Sequence, residues 1–144
     1  MSYWDTSALA KLYIAEPDSG AFQTYALTNS IVTSRLALWE LRHVALRKEV
    51  EGVIQSSTAE TIWQQAEADV INGRVSMIEL DQNLTAELES VMAACYRGTP
   101  SLAVRTLDSI HLASARVAGE TEIVATDARL RSAALSLGLA VFPT

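Results

Sequence analysis

Residues 122–142 have the sequence EIVATDARLRSAALSLGLAVF, and this stretch decides the predicted fold. Glu122–Ala125 is a short apolar strand, Ala128–Leu137 is a helix that ends at Gly138, and Leu139–Phe142 is a second strand. A helix between two strands acts as a crossover connection, and such a connection places the two strands parallel in one sheet. The stretch therefore predicts an α/β architecture.

The same alternation extends through the rest of the chain. The other predicted strands are Met1–Trp4, Ser30–Thr33 and Val75–Leu80. The other predicted helices are Thr6–Ala15, Arg35–Val50, Thr58–Asn72, Asn83–Tyr96 and Leu107–Ala118. Strands that alternate with helices of this length predict a three-layer fold, in which a parallel sheet of five strands is covered by helices on both faces.

Length and composition predict one domain over residues 1–144, with a core that needs no disulfide or structural metal. Hydrophobic residues make up 49% of the chain, which excludes an intrinsically disordered protein. No stretch approaches the ~18 uninterrupted apolar residues of a membrane span, and residues 1–5 do not resemble a signal peptide. We therefore expect a cytoplasmic protein without membrane contact, and the single cysteine, Cys95, fits that compartment.

Four acidic residues occupy positions for which buried or apolar surroundings are predicted. Asp5 and Asp127 each follow a predicted strand, and Asp108 lies at the start of an apolar helix. Glu40 projects from an apolar helix face, because the residues four positions before and after it are Leu and Val. A buried carboxylate without a partner is costly, so such a group is paired, protonated or bound to a metal ion.

The predicted topology brings these four carboxylates to one edge of the sheet. Asp5 and Asp127 stand at the carboxyl ends of parallel strands. Glu40 and Asp108 lie near the N-termini of crossover helices, and these N-termini lie at the same edge. Ligands of open α/β sheets bind in the crevice at that edge.

Structural roles are the alternative for each acid. Each aspartate could cap the helix that follows it, although neighbouring hydroxyl residues could take that role instead: Thr6, Ser7, Thr106 and Thr126. Glu40 could pair along its helix with His43 or Arg47. The structural interpretation requires all four placements to be coincidental, and we therefore favour a shared site.

Four carboxylates in one crevice repel one another, and a hard divalent cation would relieve that repulsion. Oxygen-only ligands suit Mg²⁺ or Mn²⁺ rather than Zn²⁺. Such an ion activates water for attack at phosphorus, and the predicted reaction is therefore phosphodiester hydrolysis.

The net charge of −6 by itself argues against a nucleic-acid binder, but without the four site acids the remaining charge is only −2. Several arginines could still contact a phosphate backbone: Arg35, Arg42, Arg105, Arg129 and Arg131.

The segments that carry these acids resemble those of the PIN-domain family, and in particular the VapC-type toxins of bacterial toxin–antitoxin pairs. The similar segments are Asp-Thr-Ser-Ala-Leu at 5–9, Ser-Arg-Leu-Ala-Leu-Trp-Glu at 34–40, Leu-Asp-Ser-Ile-His-Leu-Ala-Ser-Ala at 107–115 and Ala-Thr-Asp-Ala-Arg-Leu at 125–130. Four such segments, in this order, extend the resemblance over essentially the whole chain.

The resemblance implies a sheet ordered 3-2-1-4-5 and an endoribonuclease that depends on Mg²⁺ or Mn²⁺. Asp5 and Asp108 would bind the metal directly, while Glu40 and Asp127 would act through water. The implied partners are an RNA substrate and a cognate antitoxin that blocks the site, in a homodimer or a toxin–antitoxin hetero-oligomer. The resemblance also implies that Thr6 or Ser7 orients Asp5 or a metal-bound water. Because they lie near the acids in the sequence, Thr126, Arg105 and Arg129 are expected to contact the substrate or support the site.

This chain departs from the family pattern near its last acid. Many relatives carry a further acid where this chain has Arg129, and some have Thr where it has Ala125. His111, one turn beyond Asp108, is expected to be a core residue or to support a ligand rather than to be one. Three aromatic residues besides Trp4 are also expected in the core: Tyr13, Trp39 and Trp63.

Other parallel-sheet functions fit the sequence less well. A phosphoacceptor receiver needs a lysine after a late strand, a dehalogenase-like phosphatase needs Asp-x-Asp at the first strand, and a P-loop nucleotidase needs a Gly-x-x-x-x-Gly-Lys loop. The chain has none of these patterns. The non-enzymatic alternative is a catalytically weak PIN module that acts mainly by binding RNA or protein.

Overall fold

The computed structural model describes residues 1–144 and contains one sheet of five parallel strands. The strands are β1 (Ser2–Trp4), β2 (Ile31–Ser34), β3 (Val75–Ile78), β4 (Glu122–Val124) and β5 (Ala140–Phe142). Their order in the sheet is β3-β2-β1-β4-β5, and every neighbouring pair is parallel. Both the parallel sheet and the predicted strand order are confirmed.

Seven helices connect the strands. They are α1 (Thr6–Tyr13), α2 (Ser19–Thr28), α3 (Arg35–Val50), α4 (Thr58–Ile71), α5 (Gln82–Tyr96), α6 (Thr106–Val117) and α7 (Ala128–Ser136). Six of them were predicted, with ends that differ by two residues at most. None of the seven is long and apolar enough to cross a lipid bilayer.

Helix α2 was missed by the sequence analysis. It buries only Ser19 and Phe22 and shows little apolar periodicity. Its aromatic side chains instead pack on distant strands: Phe22 makes an edge contact with Trp4, and Tyr25 stacks on Phe142 at 3.8 Å between ring centroids. Tertiary packing rather than local pattern therefore stabilises this helix.

Two layers of core residues lie on opposite faces of the sheet. Successive strand residues point to opposite faces, so Trp4 belongs to one layer with α1 and α3, while Tyr3 belongs to the other with α6 and α7. Both side chains are completely buried. The expectation that Trp39 is in the core is wrong, because it is 58% exposed and stacks on Trp63 at the surface. Helix α3 buries its face against the core through smaller residues instead.

The central position of β1 determines which chain segments meet at the carboxyl edge. β1 pairs with β2 on one side and with β4 on the other. Two hydrogen bonds fix the end of β1: Thr33 Oγ1 donates to the Trp4 carbonyl at 2.7 Å, and the Asp5 N–H donates to the Val124 carbonyl at 3.0 Å. The starts of α1, α3 and α7 are thereby placed side by side.

Candidate active site

All four predicted carboxylates line one cavity of about 450 Å³ at the carboxyl edge of the sheet. Asp5 enters from the end of β1, Glu40 from the second turn of α3, Asp108 from the first turn of α6, and Asp127 from the start of α7. The structure thus brings together acids that lie as far as 122 positions apart in the chain.

Asp5 is both a helix cap and a buried acid. Its Oδ1 accepts the Ala8 N–H at 2.9 Å, and its two oxygens accept the Ser7 hydroxyl at 2.7 and 2.8 Å. Ser7 Oγ in turn accepts the Thr126 N–H at 3.1 Å, which links the ends of β1 and β4. Burial raises the pKa of Asp5, and it outweighs the opposing effects of His111, the Ala8 N–H and the Ser7 hydroxyl. Ionised Asp5 therefore favours a nearby cation.

Glu40 differs from Asp5 because its pKa is lowered rather than raised. Its Oε1 accepts the Thr6 hydroxyl at 2.7 Å and lies 2.9 Å from His111 Nε2. Burial acts to raise the pKa of Glu40, but the hydrogen bonds from His111 and Thr6 outweigh it and hold this pKa below its ordinary value. Glu40 is therefore a carboxylate with a fixed orientation at neutral pH.

A buried chain of hydrogen bonds continues from Glu40 into the core. The Tyr3 hydroxyl lies 2.8 Å from His111 Nδ1, and His111 is only 4% exposed. An ionised Glu40 can only accept, so Nε2 carries a hydrogen; in the neutral imidazole, Nδ1 then accepts the hydrogen of Tyr3. Tyr3 retains that hydrogen, because burial raises its pKa far above neutrality. His111 thus supports Glu40, as expected, whereas the contact of Tyr3 with His111 was not predicted from the sequence.

Arg105 neutralises the other two acids. Its guanidinium makes two contacts with Asp108, Nε to Oδ2 at 2.7 Å and Nη2 to Oδ1 at 3.1 Å, and Nη2 lies 3.4 Å from Asp127 Oδ2. The hydrogen bond to Asp108 raises the pKa of Arg105, and Asp127 adds to that effect. Asp127 also caps α7 by accepting the Leu130 N–H at 3.0 Å. Glu40, Asp108 and Asp127 thus each have a neutralising or orienting partner. Asp5 has its helix cap and the Ser7 hydroxyl.

One predicted site residue lies elsewhere. Arg129 is exposed on α7 and lines a separate depression with residues 102–104. The cavity instead contains three cations that the sequence analysis did not assign to the site: Lys11, Arg47 and Lys48. Arg47 could have been found, because it lies seven residues after Glu40 and hence on the same face of α3. It does not pair with Glu40, which excludes that structural alternative.

The donor set of the cavity suits a hard divalent ion. Around the four acids the cavity presents carboxylate and hydroxyl oxygens and no thiol, which matches the preference of Mg²⁺ and Mn²⁺. In this conformation no three Asp, Glu, His or Cys side chains are placed to hold one ion in common, and Asp108 and Asp127 face Arg105 instead. Movement of the exposed Arg105 side chain would release both carboxylates.

Comparison with known proteins agrees with the geometry. The family model described as PIN domain matches residues 2–135. The chain belongs to the PIN-domain family. A relative of this PIN domain is Ribonuclease VapC35 of Mycobacterium tuberculosis, which is 33% identical over 145 aligned residues that cover 98% of this chain and 95% of the relative.

Solved structures share the fold of this PIN domain. Mycobacterium tuberculosis VapC20, described as a Sarcin-Ricin loop cleaving toxin, superposes with a TM-score of 0.68 at 18% identity and covers 92% of this chain and 95% of its own. VapBC2 from Rickettsia felis, solved bound to a DNA fragment from its promoter, has a TM-score of 0.62 at 16% identity and covers 98% of this chain and 97% of its own. At these identities the comparison shows a common architecture.

Proposed function

We propose that this PIN domain is an endoribonuclease that depends on Mg²⁺ or Mn²⁺ and acts as the toxin of a toxin–antitoxin pair. The observation that carries the proposal is the convergence of Asp5, Glu40, Asp108 and Asp127 on one cavity. The 33% identity to Ribonuclease VapC35 over nearly the whole chain supports RNA as the substrate. We further propose that residues 1–144 form a single nuclease domain that works in the cytoplasm.

Asp5 and Asp108 are the residues we assign to direct contact with the metal, with Glu40 and Asp127 acting through water. When bound, such an ion lowers the pKa of a water molecule and stabilises the leaving oxygen at phosphorus. Ser7 orients Asp5, and Thr6 with His111 keeps Glu40 ionised and directed into the cavity. Thr126 contributes through its backbone N–H, which holds Ser7 in place.

Arg105 has a second role in this proposal. Its planar guanidinium presents paired N–H donors that suit a phosphate group as well as a carboxylate. Because its side chain is 56% exposed, it is free to move between Asp108 and an incoming phosphate. We assign it to the negative charge of the scissile phosphate, with Arg129 outside the catalytic cavity.

We propose that a cognate antitoxin is the protein partner. The surface between α3 and α4 carries an apolar groove of about 170 Å³, lined mainly by hydrophobic residues: Leu38, Trp63, Val70, Ile71 and Met77. The exposed Trp39 stacks on Trp63 beside it. Exposed aromatic side chains of this kind anchor protein interfaces, and Trp39 directly precedes Glu40 in the chain.

A catalytically weak PIN module that mainly binds RNA or protein is the second candidate. The observation in its favour is the ion pairing of Asp108 and Asp127 with Arg105, which occupies two of the four acids. The two candidates differ in what happens to bound RNA.

Cleavage of a structured RNA by the purified chain tests both candidates. We expect fragments in the presence of Mg²⁺ or Mn²⁺, none with EDTA, and none from an Asp5→Asn variant. Fragments that appear equally with EDTA would contradict the metal-dependent mechanism. Retained binding without cleavage in any metal would establish the second candidate instead.

A further inference from the structure

The cavity has two ends of opposite charge. Asp5, Glu40, Asp108 and Asp127 form the acidic end. Lys11, Arg47 and Lys48 form the other end, together with Glu16, and we call these four residues the basic end. The proposed hydrolysis uses only the acidic end together with Arg105, so the basic end has no assigned role.

The two lysines of the basic end are occupied by carboxylates. Lys11 is only 7% exposed, and its Nζ donates to Glu16 at 2.6 Å and to Asp18 at 2.7 Å. Lys48 Nζ lies 3.6 Å from the other oxygen of Glu16. The hydrogen bond from Lys11 lowers the pKa of Glu16, which remains ionised between the two lysines. An ammonium has three donors, so Lys11 retains one N–H beyond these two contacts.

Arg47 differs from both lysines because its side chain makes no ion pair and no hydrogen bond in the structure. It lies on the face of α3 that carries Glu40 and Val44, and all three line the cavity. Seven residues of helix separate Glu40 from Arg47, which corresponds to about 10 Å along the helix axis. An unpaired guanidinium at this distance from the acids is available to an anion that extends beyond the acidic end.

We propose that the basic end is a binding site for a backbone phosphate of RNA that lies one or two nucleotides from the scissile bond, with Arg47 as its principal ligand. The inference rests on the proposed nuclease function, since it takes the scissile phosphate to lie at the acidic end. Arg47 supplies the free N–H donors and the one unpaired positive charge, because Lys11 and Lys48 are balanced by Glu16 and Asp18. The site reads the sugar–phosphate chain rather than a base, because phosphate contacts position a nucleic acid without specifying its sequence.

Substrate length gives the sharpest test. Arg47→Ala should raise the KM of a single-stranded RNA long enough to reach both ends by about fivefold, the effect of one exposed charge contact. The loss should be smaller for a dinucleotide, which cannot span the distance from the acidic end to Arg47. Arg97→Ala is the matched control, since Arg97 is an exposed arginine at the end of α5 and does not line the cavity. Arg47→Lys should recover part of the affinity because it restores the charge.

Salt dependence gives an independent readout. Loss of one phosphate contact should reduce the slope of log affinity against log salt by about 0.7 for a single strand, measured by fluorescence anisotropy with a labelled RNA in EDTA, where no cleavage is expected. Equal KM and salt slopes for Arg47→Ala and Arg97→Ala, in a wild-type protein that cleaves RNA, would overturn the phosphate site alone. Tight binding of the RNA that depends on Arg47, in a protein that cleaves nothing in any metal, would support the site and overturn the nuclease proposal. Absence of both binding and cleavage in the wild type would overturn both.

Discussion

Asp5 and Asp81 perform the same local task in two different parts of the molecule. Each follows a strand and caps the next helix: Asp5 accepts the Ala8 N–H at 2.9 Å, and Asp81 accepts the Leu84 N–H at 3.1 Å. Asp5 is nevertheless buried and shares a cavity with three other acids, whereas Asp81 is exposed and lines no part of that cavity. Helix capping therefore neither indicates nor excludes a catalytic role.

The position of the strand explains the difference. β1 lies at the centre of the sheet, and both of its neighbours lead into helices that carry a site acid, Glu40 on α3 and Asp127 at the start of α7. β3 lies at the edge and pairs only with β2. An aspartate that caps a helix therefore lies in a carboxylate cluster at the end of β1, whereas one with the same capping role lies in solvent at the end of β3.

Replacing each aspartate in turn by asparagine should give the largest difference in RNA cleavage between the two strand ends. Asparagine caps a helix about as well as aspartate, so both variants should fold. Asp5→Asn should lose at least about 100-fold in RNA cleavage, a loss of about 2.7 kcal/mol in transition-state stabilisation. Asp81→Asn should cleave at the wild-type rate. Comparable losses in the two variants would remove the distinction between the two strand ends.

Stabilisation by a metal ion should also depend on Asp5 and not on Asp81. A ligand at 100 times its Kd stabilises the native state by about 2.7 kcal/mol, which corresponds to a rise of several degrees in Tm for a chain of this size. Mn²⁺ titration followed by thermal unfolding should show that rise in the wild type and in Asp81→Asn. The rise should be much smaller in Asp5→Asn, and a flat Tm in the wild type would contradict a metal site.

The hydrogen-bond chain from Tyr3 to Glu40 exists only beside β1 and should contribute a moderate effect. His111→Ala removes the donor to Glu40 and should lower kcat about tenfold, the usual cost of losing a group that orients a ligand. His111→Gln retains an N–H donor and should lose less, while Tyr3→Phe should alter the tautomer of His111 in ¹⁵N NMR spectra. The exposed His43 provides the control variant, His43→Ala. A His111→Ala variant with wild-type kcat would show that the chain is only structural.

Stability should show the smallest effect, and we expect it at the end of β1. Because burial raises the pKa of Asp5 in the folded state, ionised Asp5 lowers the free energy of unfolding at neutral pH. Asp5→Asn should therefore be as stable as the wild type or slightly more stable at pH 7, and this difference should close as the pH falls through the raised pKa. Asp81→Asn is the control for replacing an exposed capping aspartate.

Alanine variants supply the matching measurement of the caps. Asp5→Ala should be about 1 kcal/mol less stable than Asp5→Asn, and Asp81→Ala should lose a similar amount relative to Asp81→Asn. Urea unfolding at pH 7 and at acidic pH measures all four variants. An Asp5→Asn protein that unfolds more readily than the wild type at pH 7 would contradict the raised pKa.

The sheet could be predicted from sequence because strand and helix alternate with clear boundaries, as in residues 122–142. Helix α2 could not, because Phe22 and Tyr25 gain their packing from Trp4 and Phe142, which are distant in the chain. Exposure of Trp39 was also missed, since its partner Trp63 lies on another helix. Local pattern therefore predicts elements, while contacts between elements decide the exceptions.

The same division applies to the candidate site. The four acids could be brought to one edge from topology alone, because strand ends and helix starts are fixed by the parallel order. The partner of each acid could not, since the pairing of Arg105 with Asp108 and of His111 with Glu40 depends on side-chain distances. Arg129 was assigned to the site from its nearness to Asp127 in sequence, but its direction on α7 places it in another depression.

The stacked pair of Trp39 and Trp63 gives the protein an intrinsic optical probe. Of the three tryptophans, Trp4 is wholly enclosed, while Trp39 is open to water next to Glu40. Fluorescence from Trp4 therefore serves as an internal reference, and emission from the surface pair responds to whatever covers helix α3. Occupancy of that face can be followed in the unlabelled chain, without a dye and without altering a single residue.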